Sequence, residues 1–169
     1  MPERKRVRLD RLLLIFVLVL TCGAYTPVRA DDALNRTIDR LLKQVNAQRA
    51  MNGERALTLN RRLTEAAQKH AEDMAKRDYV EHRSPDGRAL QDRVATVGYP
   101  WRVIAENLAA GMSSPVSTVQ SWMTSPGHRD NMLNREYLEA GVGYAKPLPG
   151  GKRPRYSHYW VIVFGARSR

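Results

Sequence analysis

The chain has 169 residues, one cysteine and a net charge of +11, from 28 Lys and Arg against 17 Asp and Glu. A lone cysteine, Cys22, excludes an internal disulfide framework and a thiolate zinc site, so the folded unit must rest on its own apolar core. The basic residues are scattered with no run of five or more; they read as solvated faces, and no nucleic-acid partner is expected.

Arg4, Lys5, Arg6, Arg8 and Arg11 precede an uninterrupted apolar run from Leu12 to Leu20, and Val28-Arg29-Ala30 follows. This is the basic, apolar and small-residue order of a secretory signal. The run is about half the 18 apolar residues a membrane span needs. The expected organisation is a signal peptide over residues 1–30, cleaved after Ala30, and one domain over residues 31–169. An uncleaved anchor, or lipidation at Cys22 within Val19-Leu20-Thr21-Cys22, are the alternative readings. Six basic and two acidic residues fall in the first thirty, which leaves +7 of the +11 on the domain. Outside the cytoplasm, anionic envelope polymers or lipid surfaces suit that charge.

From Asp31 to Ala50, Leu34, Ile38, Leu41, Leu42 and Val45 mark one helical face, closed by the turn pair Asn52-Gly53. Leu57-Thr58-Leu59 alternates briefly, and Asn60 then has the chemistry of an N-cap. A second amphipathic helix is predicted over Arg61–Arg77, its face set by Leu63, Ala66, Ala67, His70, Ala71 and Met74. So much alanine on one stripe implies close packing against a neighbour. Tyr79–Gly87 reads as a loop with the turn Ser84-Pro85-Asp86-Gly87, and Arg88–Val97 as a third helix ending at Gly98. Trp101–Gly111 has no clear period. Pro115–Thr124 reads as a helix, and Ser125-Pro126-Gly127-His128 restarts a shorter one. Strands are predicted over Gly141–Ala145 and Tyr156–Gly165, joined by a loop rich in Pro, Gly and basic residues. Helices early and an antiparallel pair late predict an α+β domain.

Four histidines follow the signal segment. His70 lies in the alanine stripe and reads as a packed structural residue, and nothing near His158 suggests a role. His82 and His128 sit on turn-rich segments of the kind that scaffolds present. Between them Glu106, in Ala105-Glu106-Asn107-Leu108, is a carboxylate among apolar neighbours. The gaps of 24 and 22 residues match no local metal motif, so spacing alone does not join the three. Ser84 reads as a turn or cap hydroxyl before a nucleophile, and Asp130 and Asn131 as surface or tethering residues.

Five motifs in order resemble the bacterial branch of the CAP superfamily, also called the SCP domain. They are His82-Arg83-Ser84-Pro85-Asp86-Gly87, then Ala105 to Gly111 (AENLAAG), then Ser121 to Leu133 (SWMTSPGHRDNML), then Gly141-Val142-Gly143-Tyr144, and finally Tyr159 to Gly165 (YWVIVFG). The superfamily includes cysteine-rich secretory proteins, antigen-five allergens and plant pathogenesis-related proteins. The resemblance implies a three-layer α-β-α sandwich with a small antiparallel sheet and a shallow central cleft. It also implies that two histidines and two glutamates line the cleft and can hold a divalent metal such as zinc. His82, Glu106 and His128 match three of those positions. Ser125 stands at the place read as the second carboxylate, and Ser84, Asn107 and Ser125 are further cleft candidates.

Three functions remain open on this reading. The leading one is a secreted binding module whose histidine-lined cleft holds an as yet unidentified ligand or a metal. The second is a metal-dependent hydrolase of peptides or envelope material, in which zinc on His82, Glu106 and His128 would activate water. The third is lipid binding. No G-x-S-x-G or H-E-x-x-H pattern is present. Protein recovered from outside the cytoplasm is expected to begin at Asp31 on N-terminal sequencing. An acylated Cys22 at the N-terminus would contradict that.

Overall fold

The apolar face read from Ile38, Leu41, Leu42 and Val45 is buried along a helix, α1, over Ala30–Met51 in the computed structural model, which describes residues 30–150 and 153–168. The rest of the proposed signal segment and Cys22 lie outside the described residues, so neither cleavage nor lipidation is addressed by it. Strand β1, Thr58–Leu59, leads into α2, Arg61–Arg77. Asn60 caps α2 as its chemistry predicts, its side chain accepting from the backbone N–H of Arg62 at 2.9 Å and of Leu63 at 3.2 Å. Helix α3, Leu90–Thr96, is followed by β2, Trp101–Ala110. Then come α4, Pro115–Met123, and α5, Pro126–Leu133, and the chain closes with β3, Glu139–Ala145, and β4, Tyr159–Arg167.

The four strands form one sheet in the order β1-β3-β4-β2. Strand β4 pairs antiparallel with both β3 and β2, so Ile162 lies between Val142 and Asn107. The short β1 adds parallel to β3 at the far edge, which makes the sheet mixed where an antiparallel one was expected. Strand β2 is the other edge. The segment without a clear period is thus a ten-residue strand.

Side-chain alternation along β4 divides the core. Trp160, Ile162 and Phe164 join one apolar cluster with α1, α4 and α5 through Leu41, Trp122 and Met132. Tyr159, Val161 and Val163 join the other with α2 and α3 through Leu63, Ala67, Ala71, Met74 and Val94. This is the three-layer α-β-α sandwich. Both faces of β4 are buried, which is why it reads as a continuous apolar run.

The alanine stripe of α2 meets the glycines of β3. A methyl group at Gly141 would fall inside the backbone of Leu63 and Thr64, and one at Gly143 inside that of Ala67 and Gln68. Helix and strand therefore touch backbone to backbone, which is the close packing the alanines predict. A buried cation fastens the opposite layer. Arg49 of α1 donates to the carbonyls of Arg55 at 2.7 Å, Met132 at 2.7 Å and Asn134 at 2.9 Å. Two of these close the C-terminal end of α5, where carbonyls lack helical partners and the dipole favours positive charge. Substituting Gly143→Ala should lower stability by about 1–3 kcal/mol or more, the usual cost of overpacking a filled core. Gly127→Ala, with open space around it, should stay within about 0.5 kcal/mol of the parent. Urea midpoints check both, and equal values for the two variants would contradict the backbone contact.

Candidate functional site

The loop after α2 is held from beneath before it presents His82. His70, buried within α2, uses Nε2–H to donate to the Glu81 carbonyl at 3.1 Å. The turn closes through Gly87 N–H to Ser84 O at 2.8 Å and Ser84 N–H to Arg88 O at 2.9 Å. Arg93, from α3, donates through Nη1 to the carbonyls of His82 at 3.0 Å and Arg88 at 3.2 Å. Backbone on both sides of the His82 ring is thereby fixed.

Strand β2 supplies the carboxylate. Successive residues of a strand point to opposite faces, and here those faces reach different helical layers. Glu106 points toward α2 and α3, where Arg93 Nη2 donates to both of its oxygens, at 3.0 and 2.9 Å. His82 Nδ1 lies 2.9 Å from Glu106 Oε1. The Glu106 side chain is 1% exposed, that of Arg93 5% and that of His82 61%. The chain Arg93–Glu106–His82 therefore runs from the interior to the surface. Neutral His82 donates Nδ1–H to the carboxylate, which leaves Nε2 as a bare acceptor.

Asn107 points the other way. Its amide donates to the His128 carbonyl at 2.8 Å, and its oxygen accepts from Asn131 at 2.9 Å. Trp122 Nε1 donates to the Leu108 carbonyl at 2.9 Å. Helices α4 and α5 are thus pinned along the free edge of β2, and that edge is covered. His128 is half-buried in the first turn of α5. Burial holds its ring below the ordinary histidine range, and the charge of His82 pushes the same way. The two histidines come from opposite layers, one on each side of the edge strand.

Other sequence candidates fall elsewhere. The Ser84 hydroxyl is buried without a hydrogen-bond partner, and the residue lines a pocket of about 250 Å³ with His70 and Arg93, which His82 does not line. Ser125 stands at the N-cap position of α5 without a side-chain capping bond, and makes no hydrogen bond to Glu106. Asn131 is the tether expected of it, and Asp130 is exposed. His158 stacks on Tyr144 with ring centroids 6.0 Å apart. Arg93 is the residue sequence reasoning missed. Its signal was local: on α3 it shares one stripe with Leu90, Val94 and Val97, so a charge sits on an apolar face.

As arranged, these residues do not fit a zinc ion. Both Glu106 oxygens already accept from a guanidinium, and a metal placed there would meet a fixed positive charge. His82 donates Nδ1–H to the same carboxylate, an orientation that metal-bound histidines also adopt, so it is Glu106 and not His82 that is withheld from an ion. Among the described residues no group of three or more His, Cys, Asp or Glu is placed to hold a metal. Of the three ligands that the resemblance suggested, His82 and Glu106 are in contact, and His128 is tied to the same strand through its carbonyl and Asn107.

The model of the cysteine-rich secretory protein family, CAP, matches residues 42–164. Two curated relatives are from Bacillus subtilis (strain 168). The uncharacterized protein YkwD is 30% identical over 121 residues, covering 72% of this chain and 47% of that protein. The uncharacterized membrane protein YlbC is 31% identical over 104 residues, 62% of this chain and 30% of that protein. The chain spans about half or less of these relatives. Among solved structures, an extracellular protein containing a SCP domain from Bacillus anthracis str. Ames superposes with a TM-score of 0.71 at 26% identity, covering 86% of this chain and 45% of that one. An outer surface protein from Borrelia burgdorferi shares the fold, with a TM-score of 0.68 at 19% identity over 77% of this chain and 92% of that one.

The support beneath the loop carries a pH dependence. Burial, the largest cause, lowers the pKa of His70 in the folded chain, whereas the unfolded chain takes up that proton near pH 6.5. Below that value the unfolded state binds more protons, so stability present at neutral pH is lost as pH falls. The urea midpoint should drop between about pH 7 and 5, and drop less in His70→Gln. An equal drop in both proteins would contradict the assignment.

Proposed function

This chain belongs to the cysteine-rich secretory protein (CAP) family, and from that premise we propose that it is an extracytoplasmic binding module. Its cleft takes a polar group of a cell-envelope component across the edge of β2. The observation that carries this reading is the His82 ring, oriented from behind by Glu106 and 61% exposed in front. An exposed imidazole whose Nδ1 is committed is an oriented hydrogen-bond acceptor through Nε2, preorganised so that less is lost on binding. His128, kept neutral by burial, adds a second polar contact from the other layer. Hydroxyl- and amide-bearing groups suit such a pair, and the positive charge of the chain favours an anionic polymer around them.

Location outside the cytoplasm is supported by the signal-like first thirty residues and by relatives described as extracellular or outer-surface proteins. Among the described residues no helix is long and apolar enough to cross a membrane. Hydrolysis draws less support from the geometry. The oriented histidine supplies the base half of a catalytic pair, but among the described residues no serine or threonine hydroxyl hydrogen-bonds to the ring of His82 or His128.

Titration of labelled protein with soluble, defined cell-wall fragments, followed by NMR, tests this reading. The ring and backbone signals of His82, Asn107 and His128 should shift. His82→Ala should weaken binding at least about tenfold, the loss of one well-placed polar contact, and His158→Ala should leave it unchanged. Shifts confined to residues outside the cleft would overturn the assignment.

A further inference from the structure

We infer that Arg93 is the resident cation of the cleft: it holds the position beside Glu106 that a divalent metal would need, and so commits the cleft to metal-free recognition. The geometry is specific. One guanidinium nitrogen donates to both carboxylate oxygens, at 3.0 and 2.9 Å, from the buried side. The other terminal nitrogen is anchored by the carbonyls of His82 and Arg88, so the planar head has little freedom to swing away. Arg93 is also 6% exposed, with the packed α3 stripe around its stem.

Charge chemistry makes the substitution for a metal complete. A guanidinium does not lose its proton in a protein and presents its donors in a rigid fork matched to a carboxylate. Here Nη2 alone spans both oxygens, and a metal would compete with it for the carboxylate and carry its own charge against that of Arg93. His82 Nδ1 is withdrawn from ligation by the same carboxylate. What remains outward is His82 Nε2 and His128, two neutral nitrogen sites without an anionic ligand between them. Arg93 is thus a positioning residue: it orients His82 through Glu106 and touches no ligand itself.

A single substitution, Arg93→Glu, reverses the choice. The new side chain is shorter than arginine and opposite in charge. It would face Glu106 across a gap beside His82, giving two carboxylates and an imidazole, an oxygen- and nitrogen-rich set that suits a divalent ion.

The inference takes from the proposed function only the location of the cleft, and zinc itself is the probe, so failure of the envelope-ligand reading leaves it standing. Purified, tag-free full chain is titrated with zinc by calorimetry as the parent, Glu106→Gln, Arg93→Glu, and Arg93→Glu combined with Glu106→Gln. The parent should show no tight site, and Glu106→Gln should alter its zinc binding less than twofold. Arg93→Glu should bind zinc at least tenfold more tightly than the parent, and the double variant should lose that gain. Tight stoichiometric zinc binding by the parent that Glu106→Gln weakens tenfold would overturn the inference, and so would a folded Arg93→Glu with no gain. Should Arg93→Glu fail to fold, the comparison of parent with Glu106→Gln decides alone. A parallel NMR titration of the parent should show the His82 ring signals unmoved by equimolar zinc.

Discussion

A carboxylate buried at the edge of a sheet has to be neutralised and hydrogen-bonded where it sits, and Glu106 places that demand on two separate segments. Leaving such a charge with one partner removed costs on the order of 3–5 kcal/mol, comparable to a large fraction of a domain's total stability. Helix α3 answers with Arg93 from inside, and the loop after α2 answers with His82 from outside. The arrangement follows from β2 being both an edge and a strand of alternating faces. Glu106 recruits one helical layer, and Asn107 recruits the other through His128 and Asn131. The proposed site is the seam along β2 between those two sets of contacts.

That seam requires a rigid frame. Glycines at 141 and 143 let the first half of α2 rest on the backbone of β3, which seats the helix whose far end leads into the His82 loop. On the other side, Arg49 closes the C-terminal end of α5 from α1, while Asn107 holds its first turn from β2. Helix α5 is only eight residues long, too short to be stable alone. Polar anchors at both ends, rather than helix propensity, hold His128 in place.

Much of this was legible in the sequence. The bounds of α2, its buried face and the Asn60 cap follow directly from periodicity and cap chemistry, because one side of that helix is apolar and the other solvated. Strand β2 was not legible, since Glu106, Asn107, Leu108 and Ala109 are all buried and two-sided burial erases the period-two signal. The pairing of His82 with Glu106 across 24 residues was reachable through the ordered motifs of the family but not through spacing. Arg93 escaped because a partner chosen by charge and reach leaves no periodic trace, and one basic residue among 28 carries no flag. Its position on the apolar stripe of α3 was the one available sign. Zinc, which the resemblance made plausible, would have to share Glu106 with that same arginine.

Everything proposed for the cleft rests on Glu106, held by Arg93, fixing the His82 ring with its proton on Nδ1 and its Nε2 bare. NMR reads this state through the ¹⁵N shifts and one-bond N–H couplings of the two His82 ring nitrogens, at about pH 8, where an ordinary histidine is neutral. A single predominant tautomer is expected, protonated at Nδ1 and unprotonated at Nε2. Averaged signals from two exchanging tautomers, or a proton resident on Nε2, would contradict it.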